Sequence, residues 1–161
     1  MFYKGIGFDL DKTLIKPISG KRFPESIEDA MWLPGRLQVL YSLKLLGIKT
    51  AIITNQGGVA AGHRSLEDSI QFLRHVQEAG LVDYLYCCHS MDKDDPRRKP
   101  NPQMIHEFIY ETGLTNLDIL YVGDFRTDKE AAEKAHVDFM WAEKHYGNPY
   151  FFSEEVPLYD K

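Results

Sequence analysis

The chain has 161 residues, of which 43% are hydrophobic and 27% are charged, and its net charge is −5. These proportions are typical of a soluble globular protein, and the length allows one domain with a hydrophobic core. Proteins that depend on wrapping nucleic-acid phosphates are usually basic, so the acidic balance argues against that class.

No apolar run reaches the roughly 20 residues of a membrane span, and the N-terminus carries no secretory signal pattern. The two cysteines, Cys87 and Cys88, are neighbours in sequence, and neighbouring cysteines rarely form a disulfide. We therefore expect a reduced, cytoplasmic protein with no membrane partner, present as a monomer or a small homo-oligomer.

Strand and helix patterns alternate along the chain. Predicted strands cover residues 3–10, 48–54, 83–88, 117–122 and 137–141, and helices are expected after Pro34-Gly35, from Ser65, from Pro102 and from Thr127 or Asp128. The connections are long enough for crossover helices, which predicts an α/β fold with a doubly wound parallel sheet in three α/β/α layers, Rossmann-like and without a large cap domain.

One domain is expected over residues 1–161, with a core over about 1–142 and an irregular, aromatic-rich tail over about 143–161. Residues 11–30 are predicted to be a connecting stretch that would overhang the site. Its basic side chains are Lys12, Lys16, Lys21 and Arg22. The first helix is expected to bury a broad apolar face that includes Leu37, Leu40, Tyr41, Leu43 and Leu45.

Two carboxylates stand at the end of the first predicted strand. Asp9 and Asp11 follow the apolar run Ile6-Gly7-Phe8, which is typical of a strand buried on both faces. At that position the carboxylates would lose hydration and repel each other unless one takes a proton or a cation lies between them. The sequence therefore predicts that a counter-charge comes from elsewhere in the chain.

Polar residues also follow the other strands, and a parallel sheet brings them to the edge where such folds bind ligands. Carboxylate oxygens suit Mg²⁺, whereas hydroxyl, amide and ammonium groups suit phosphoryl oxygens. One carboxylate can act as a nucleophile and a second as general acid and base. The candidates are Asp9, Asp11, Thr54, Asn55, Gln56, Arg98, Lys99, Asp124 and Asp128, and together they predict phosphoryl transfer.

Four motifs, in this order, resemble those of the haloacid dehalogenase (HAD) superfamily of phosphatases. They are DLDKT from Asp9, the strand ending at Thr54-Asn55-Gln56, Lys99 within RRKPNP, and Gly123-Asp124 with Asp128 four residues on. The motifs span residues 9 to 128, which is most of the chain.

The resemblance implies a role for each matching residue. Asp9 would be the nucleophile and Asp11 the general acid and base. Asp9, the backbone carbonyl of Asp11, and Asp124 would hold Mg²⁺, and Asp128 would support the metal or share in ligation. Thr54 and Lys99 would bind the phosphoryl oxygens, and Asn55 and Arg98 are further candidates for substrate binding.

The substrate class stays open at this point. TNQGG, Cys-x-His and RKPNP are similar to the capless branch that contains histidinol-phosphate and heptose-bisphosphate phosphatases. FDLDKTLI with Ser19-Gly20-Lys21 and Phe23-Pro24 resembles the 3′-phosphatase domain of polynucleotide kinase-phosphatases. We favour hydrolysis of a small phosphorylated metabolite such as a sugar phosphate. A phosphatase for nucleic-acid 3′ ends and a non-catalytic phosphate-binding module are the alternatives.

Two positions depart from the pattern of the family. Lys12 stands where the family more often has glycine, so an unusual backbone angle there would carry a modest cost. Cys87 and His89 match the first half of a zinc loop found in the sugar-phosphate members. No cysteine follows Cys88, so thiolates cannot complete a four-ligand site, and we expect no bound zinc.

Overall fold

The computed structural model describes residues 2–145 and 156–157. The strands are β1 (Gly5–Phe8), β2 (Ile15–Pro17), β3 (Ala30–Trp32), β4 (Lys49–Asn55), β5 (Tyr84–Cys88), β6 (Ile119–Gly123), β7 (Asp138–Trp141) and β8 (Val156–Pro157). The helices are α1 (Arg36–Leu45), α2 (Leu66–Ala79), α3 (Gln103–Thr112), α4 (Arg126–Ala135) and α5 (Ala142–His145), with a 3₁₀ turn over Asn116–Asp118. Within this part of the chain, no helix has the length and apolarity that crossing a membrane requires.

The central sheet has five parallel strands in the order β5-β4-β1-β6-β7. The chain moves outward from β1 through β4 to β5 and then returns to the other side of β1 at β6. The strand order therefore reverses between β1 and β6, which is where open α/β sheets form their ligand crevice. This architecture confirms the predicted doubly wound α/β fold.

Each face of the sheet has its own hydrophobic core. Leu40 of α1 and Leu73 of α2 pack with Phe8 on one face, and Phe108 of α3 and Ala132 of α4 pack on the other. Successive residues of β1 point to opposite faces, as the pleat requires.

The glycine in the middle of β1 has a packing reason. A Cβ atom at Gly7 would lie 2.9 Å from the ring of Tyr121 and 3.0 Å from Ile53. Because Gly7 has no side chain, the ring of Tyr121 packs against the backbone of β1. This contact lies close to the end of the strand, which Asp9 follows.

The predicted connecting stretch over residues 11–30 contains secondary structure that the sequence did not indicate. The segment contains β2, which pairs with β3 in an antiparallel hairpin, and β3 also pairs with β8. Ile15, Ala30 and Trp32 anchor the hairpin because they are almost completely buried. Strands of three residues are too short to show the period-2 alternation that predicts longer strands.

Two other expectations need correction. The predicted irregular tail begins with α5, and Val156–Pro157 forms β8, whereas residues 146–155 and 158–161 lie outside the described residues. Leu45 is 89% exposed, because it lies two residues after the buried Leu43 and therefore on the opposite side of α1. The predicted capping serine is confirmed, since Ser65 Oγ accepts a hydrogen bond from the backbone N–H of Asp68 at 3.0 Å.

Candidate active site

The carboxyl ends of the strands enclose one cavity of about 760 Å³. Most of the sequence-predicted residues line it: Asp9, Asp11, Asn55, Arg98, Lys99, Asp124 and Asp128. Thr54 is 1% exposed and does not line the cavity, and its hydroxyl accepts a hydrogen bond from the side chain of Gln56 at 3.0 Å. Strands β1, β4 and β6 and the loop after β5 therefore bring together residues that are far apart in sequence.

Lys99 is the central cation of the site. Its Nζ atom, with three N–H donors, lies within hydrogen-bond distance of four oxygens: Asp9 Oδ1 at 2.8 Å, Asp128 Oδ1 at 2.7 Å, the Ile53 carbonyl at 2.8 Å and the Tyr121 hydroxyl at 2.9 Å. Burial disfavours its charge, but Asp128 and Asp9 outweigh that cost and hold the pKa of Lys99 well above its usual range. Lys99 is therefore a permanent positive charge beside the predicted nucleophile.

Asn55 holds the backbone of Lys99 in place. Its Nδ2 atom donates to the Lys99 carbonyl at 2.9 Å, and its Oδ1 atom accepts from the Lys99 N–H at 3.0 Å. Both ends of the amide are used in this pair of hydrogen bonds. The predicted role of Asn55 was substrate binding, whereas this geometry favours a role in positioning Lys99.

Asp128 is similarly occupied by protein contacts. Its Oδ1 atom accepts from Lys99 and lies 3.3 Å from the Tyr121 hydroxyl, while Oδ2 accepts from the Phe125 N–H at 3.0 Å at the start of α4. Gly123 permits this approach, since a Cβ atom there would lie 2.5 Å from the Asp128 side chain. Asp128 therefore caps α4 and orients Lys99 at the same time.

The acids around Lys99 form a candidate metal site. Carboxylate oxygens of Asp9, Asp124 and Asp128 lie within 4.8 Å of one another. Burial raises the pKa of Asp9 well above its usual range, and the charges of Asp128 and Asp11 raise it further against the opposing effect of Lys99. Burial and Asp128 also raise the pKa of Asp124. This all-oxygen donor set has an excess of negative charge and fits a hard divalent cation such as Mg²⁺.

Asp11 lies beside this cluster and faces the same cavity. Burial raises the pKa of its carboxyl group, although the hydrogen bond from Gln56 and the charge of Arg64 act in the opposite direction. A carboxyl group with a raised pKa carries a proton more readily near neutral pH, which suits a general acid and base.

The rim of the cavity is basic and partly aromatic. Lys12 has a φ of 63°, so this residue, which stands where the family more often has glycine, adopts the left-handed backbone conformation. Lys21 forms an ion pair with Glu25 at 2.7 Å, and the guanidinium of Arg22 lies 5.2 Å from the ring centroid of Phe23. These residues line the cavity, so the connection after β1 does overhang the site.

Sequence reasoning missed Tyr121 and Arg64. Tyr121 lies within an apolar strand, where only its hydroxyl distinguishes it from a core aromatic residue. Arg64 lies just before the capping Ser65; it donates to the carbonyl of Pro24 and its guanidinium lies 4.7 Å from the Phe72 ring centroid. Neither residue carries a sequence signal that points to the site.

Cys87 and His89, the half-match to a zinc loop, contact each other. Cys87 Sγ lies 3.4 Å from His89 Nε2, which is also 2.9 Å from Ser69 Oγ. Burial raises the pKa of the Cys87 thiol to about 12, so it remains protonated at neutral pH. The expectation that no zinc binds here stays a prediction.

Comparison with known proteins identifies the family. Residues 4–154 match the family model described as polynucleotide kinase 3 phosphatase. The chain belongs to the polynucleotide kinase 3 phosphatase family. It is therefore a phosphatase of the HAD superfamily, as the four motifs predicted.

Named relatives of this HAD phosphatase act on heptose bisphosphates. It is 30% identical over 131 residues to the D-glycero-beta-D-manno-heptose-1,7-bisphosphate 7-phosphatase of Pseudomonas putida, an alignment that covers 76% of this chain and 74% of the relative. It is 31% identical over 117 residues to a Helicobacter pylori protein of the same name, with coverage of 68% and 67%.

A solved structure extends the likeness to three dimensions. The D,D-heptose 1.7-bisphosphate phosphatase of B. bronchiseptica, complexed with magnesium and phosphate, superposes with a TM-score of 0.73. The sequences are 26% identical, and the match covers 84% of this chain and 78% of that one. The HAD phosphatase described here thus shares its fold with a protein that holds both magnesium and phosphate.

Proposed function

We propose that this HAD phosphatase is a Mg²⁺-dependent phosphomonoesterase that acts through an aspartyl-phosphate on Asp9, with a sugar phosphate as its substrate. The main support is the placement of Asp9, Asp11, Lys99 and Asp124 around one cavity at the switch point of the sheet. A nucleophile, a proton carrier, a fixed cation and a set of oxygen ligands are the groups that such a reaction needs.

In the first step, a carboxylate oxygen of Asp9 attacks phosphorus while the bond to the leaving oxygen breaks. Lys99 holds Oδ1 of Asp9 at 2.8 Å, which leaves Oδ2 as the nucleophilic oxygen. Asp11 gives its proton to the leaving oxygen, so the product alcohol departs neutral.

In the second step, water attacks phosphorus and the bond to Asp9 breaks. Asp11, now a carboxylate, takes the proton of the water. Inorganic phosphate leaves, and Asp9 and Asp11 return to their starting states. The ammonium group of Lys99 stays in place through both steps because four oxygens at hydrogen-bond distance surround it.

Asp9, the backbone carbonyl of Asp11, and Asp124 would hold the Mg²⁺ ion, and Asp128 would act by orienting Lys99. A bound Mg²⁺ would neutralise charge on the acids and on the transferring phosphoryl group. The observation that favours a bound cation is the excess of negative charge on Asp9, Asp124 and Asp128.

The heptose bisphosphate relatives favour a sugar phosphate as substrate, and the cations of the rim are compatible with an additional anionic group. The test is phosphate release, with Mg²⁺ present, from a panel of sugar phosphates and sugar bisphosphates. Wild type should turn over at least one of them, and Asp9→Asn should lower its rate by about 10³-fold or more, because it removes the nucleophile. Turnover by Asp9→Asn at the wild-type rate would contradict the mechanism.

A second candidate is hydrolysis of a nucleic-acid 3′-phosphate. The observation that favours it is the pair of exposed aromatic rings on the cavity, Phe23 at 48% and Phe125 at 62% exposure, beside the basic Arg22. Such rings can stack on unpaired bases. A 3′-phosphorylated oligonucleotide belongs in the same panel, and activity on it alone would replace the sugar phosphate as the proposed substrate.

A further inference from the structure

Gln56 makes a bridge between two residues of the site. Its Nε2 atom donates to Asp11 Oδ2 at 2.9 Å and to Thr54 Oγ1 at 3.0 Å. Its backbone N–H donates to the Cys88 carbonyl at 2.8 Å. The backbone of Gln56 is thus fixed to the end of β5, while its side chain reaches across to the loop after β1.

The partners fix which way the amide faces. The NH₂ group of Gln56 faces Asp11 Oδ2 and Thr54 Oγ1, and both oxygens can accept a hydrogen bond. That group has two hydrogens, and the contacts with Asp11 and Thr54 use both. Because Thr54 is 1% exposed, the second hydrogen bond ties the amide to an immobile, buried group.

Asp11 depends on this contact for its orientation. Within residues 2–145, Gln56 is the side chain that donates a hydrogen bond to its carboxylate. A free aspartate side chain rotates about two torsions, whereas proton transfer requires hydrogen-bond distance to the leaving oxygen. With Oδ2 held by Gln56, Oδ1 is the oxygen left to face the substrate.

We propose that Gln56 is a positioning residue that aligns Asp11 for proton transfer to the leaving group. The inference rests on the proposed function, because it gives Gln56 a role only if Asp11 carries that proton. It predicts that loss of the Gln56 amide lowers the turnover rate most for substrates whose leaving group must be protonated. Alkoxides need protonation to depart, whereas a nitrophenolate departs readily without it.

The test compares Gln56→Met with wild type on an alkyl phosphate and on p-nitrophenyl phosphate. Gln56→Met should lower kcat about 10²-fold on the alkyl phosphate and less than about threefold on the aryl phosphate, with little change in KM. Gln56→Asn keeps an amide but is one methylene too short to reach, so it should show the same pattern. The matched control is Gln71→Met, which also removes an amide-to-carboxylate hydrogen bond but on the exposed face of α2.

Equal losses on both phosphates, or no loss on either, would overturn the role of Gln56. Adding Gln56→Met to Asp11→Asn should lower alkyl phosphate turnover no further, because the proton carrier is already absent. If Asp11→Asn alone affects both phosphates equally, the proposed function fails as well. If Asp11→Asn shows the leaving-group pattern and Gln56→Met does not, only this inference fails.

Discussion

The two edges of the central sheet hold their carboxyl groups in opposite electrostatic states. At the carboxyl edge, burial is the main cause that raises the pKa values of Asp9, Asp11 and Asp124. At the amino edge, the pKa of Asp83 is lowered, and that of Asp118 is lowered to about 2. Ionisation of acids is therefore disfavoured at one edge and favoured at the other.

The difference comes from how each acid is paired. Asp118 accepts from Lys4, an ion pair at 2.9 Å, and Asp83 pairs with Lys44 at 2.6 Å, so each acid has its own cation. At the carboxyl edge, several acids share the buried Lys99. The paired acids of the amino edge stabilise the fold, whereas the carboxyl edge keeps an excess of negative charge, which favours binding of a cation.

Lys99→Met should produce the largest effect, because it removes the charge that the acids share. Asp9 and Asp128 would remain buried without the positive charge of Lys99, so the free energy of unfolding should fall by about 3 kcal/mol. Activity should fall about 10³-fold, since the donor beside the nucleophile is lost. Urea unfolding and phosphate release measure the two losses.

The control for that prediction is Lys93→Met, in the same loop but exposed, which should leave both quantities near wild type. Near wild-type activity in Lys99→Met would mean that Asp9 does not depend on the buried cation. The proposed role of Lys99 as the shared cation of the carboxyl edge would then be wrong.

Asp124→Asn should have a smaller effect that extra metal reverses. Removing one proposed Mg²⁺ ligand should raise the Mg²⁺ concentration for half-maximal activity about tenfold or more. Mg²⁺ should also raise the melting temperature of wild type more than that of the variant, because it binds the folded state. Activity titrations and thermal unfolding with and without Mg²⁺ check both outcomes.

Asp94→Asn is the matched control, since Asp94 is an exposed acid that does not line the cavity. It should titrate like wild type. If Asp124→Asn and wild type share one Mg²⁺ dependence, the excess of acids at the carboxyl edge serves some purpose other than metal binding.

Asp83→Asn should have the smallest effect, confined to stability. Hydrogen bonds from Lys44 and from the Thr50 N–H outweigh the burial of Asp83 and lower its pKa. Near pH 7 the variant should lose about 1 kcal/mol of unfolding free energy, a value discounted because Lys44 is half-exposed.

The pH dependence of that loss has a definite sign. A lowered pKa stabilises the folded state above the ordinary aspartate pKa, near 4, and the contribution disappears as pH falls through the folded value. The difference between wild type and Asp83→Asn should therefore shrink in acid. A difference that stays constant down to pH 3, or a loss of phosphatase activity, would contradict this account of the amino edge.

The strand ends could be read from the sequence, and the fold follows from them. Apolar runs ended at Asp9, Thr54 and Asp124, and parallel strands necessarily bring such ends to one edge of the sheet. That rule places residues near a site but says little about what their side chains contact. Asn55 reaches the edge as predicted, yet both ends of its amide bind the Lys99 backbone.

Other features could not be predicted, for physical reasons. The hydroxyl of Tyr121 contacts Lys99 from within a buried strand, where sequence patterning reports burial and not the direction of one polar atom. The hairpin of β2 and β3 pairs Ile15 with Trp32, which are far apart in sequence. The burial of Trp32 therefore leaves no local pattern in the sequence that predicts the hairpin.

The contacts of Lys99 also bear on how the chain folds. They join residues 90, 46, 29 and 22 positions apart, to Asp9, Ile53, Asp128 and Tyr121 respectively. Contacts between distant residues close large loops and form slowly. During refolding, phosphatase activity should therefore return only after β1, β4 and β6 have docked. On the ribosome, no fragment that ends before Asp128 would contain the complete site.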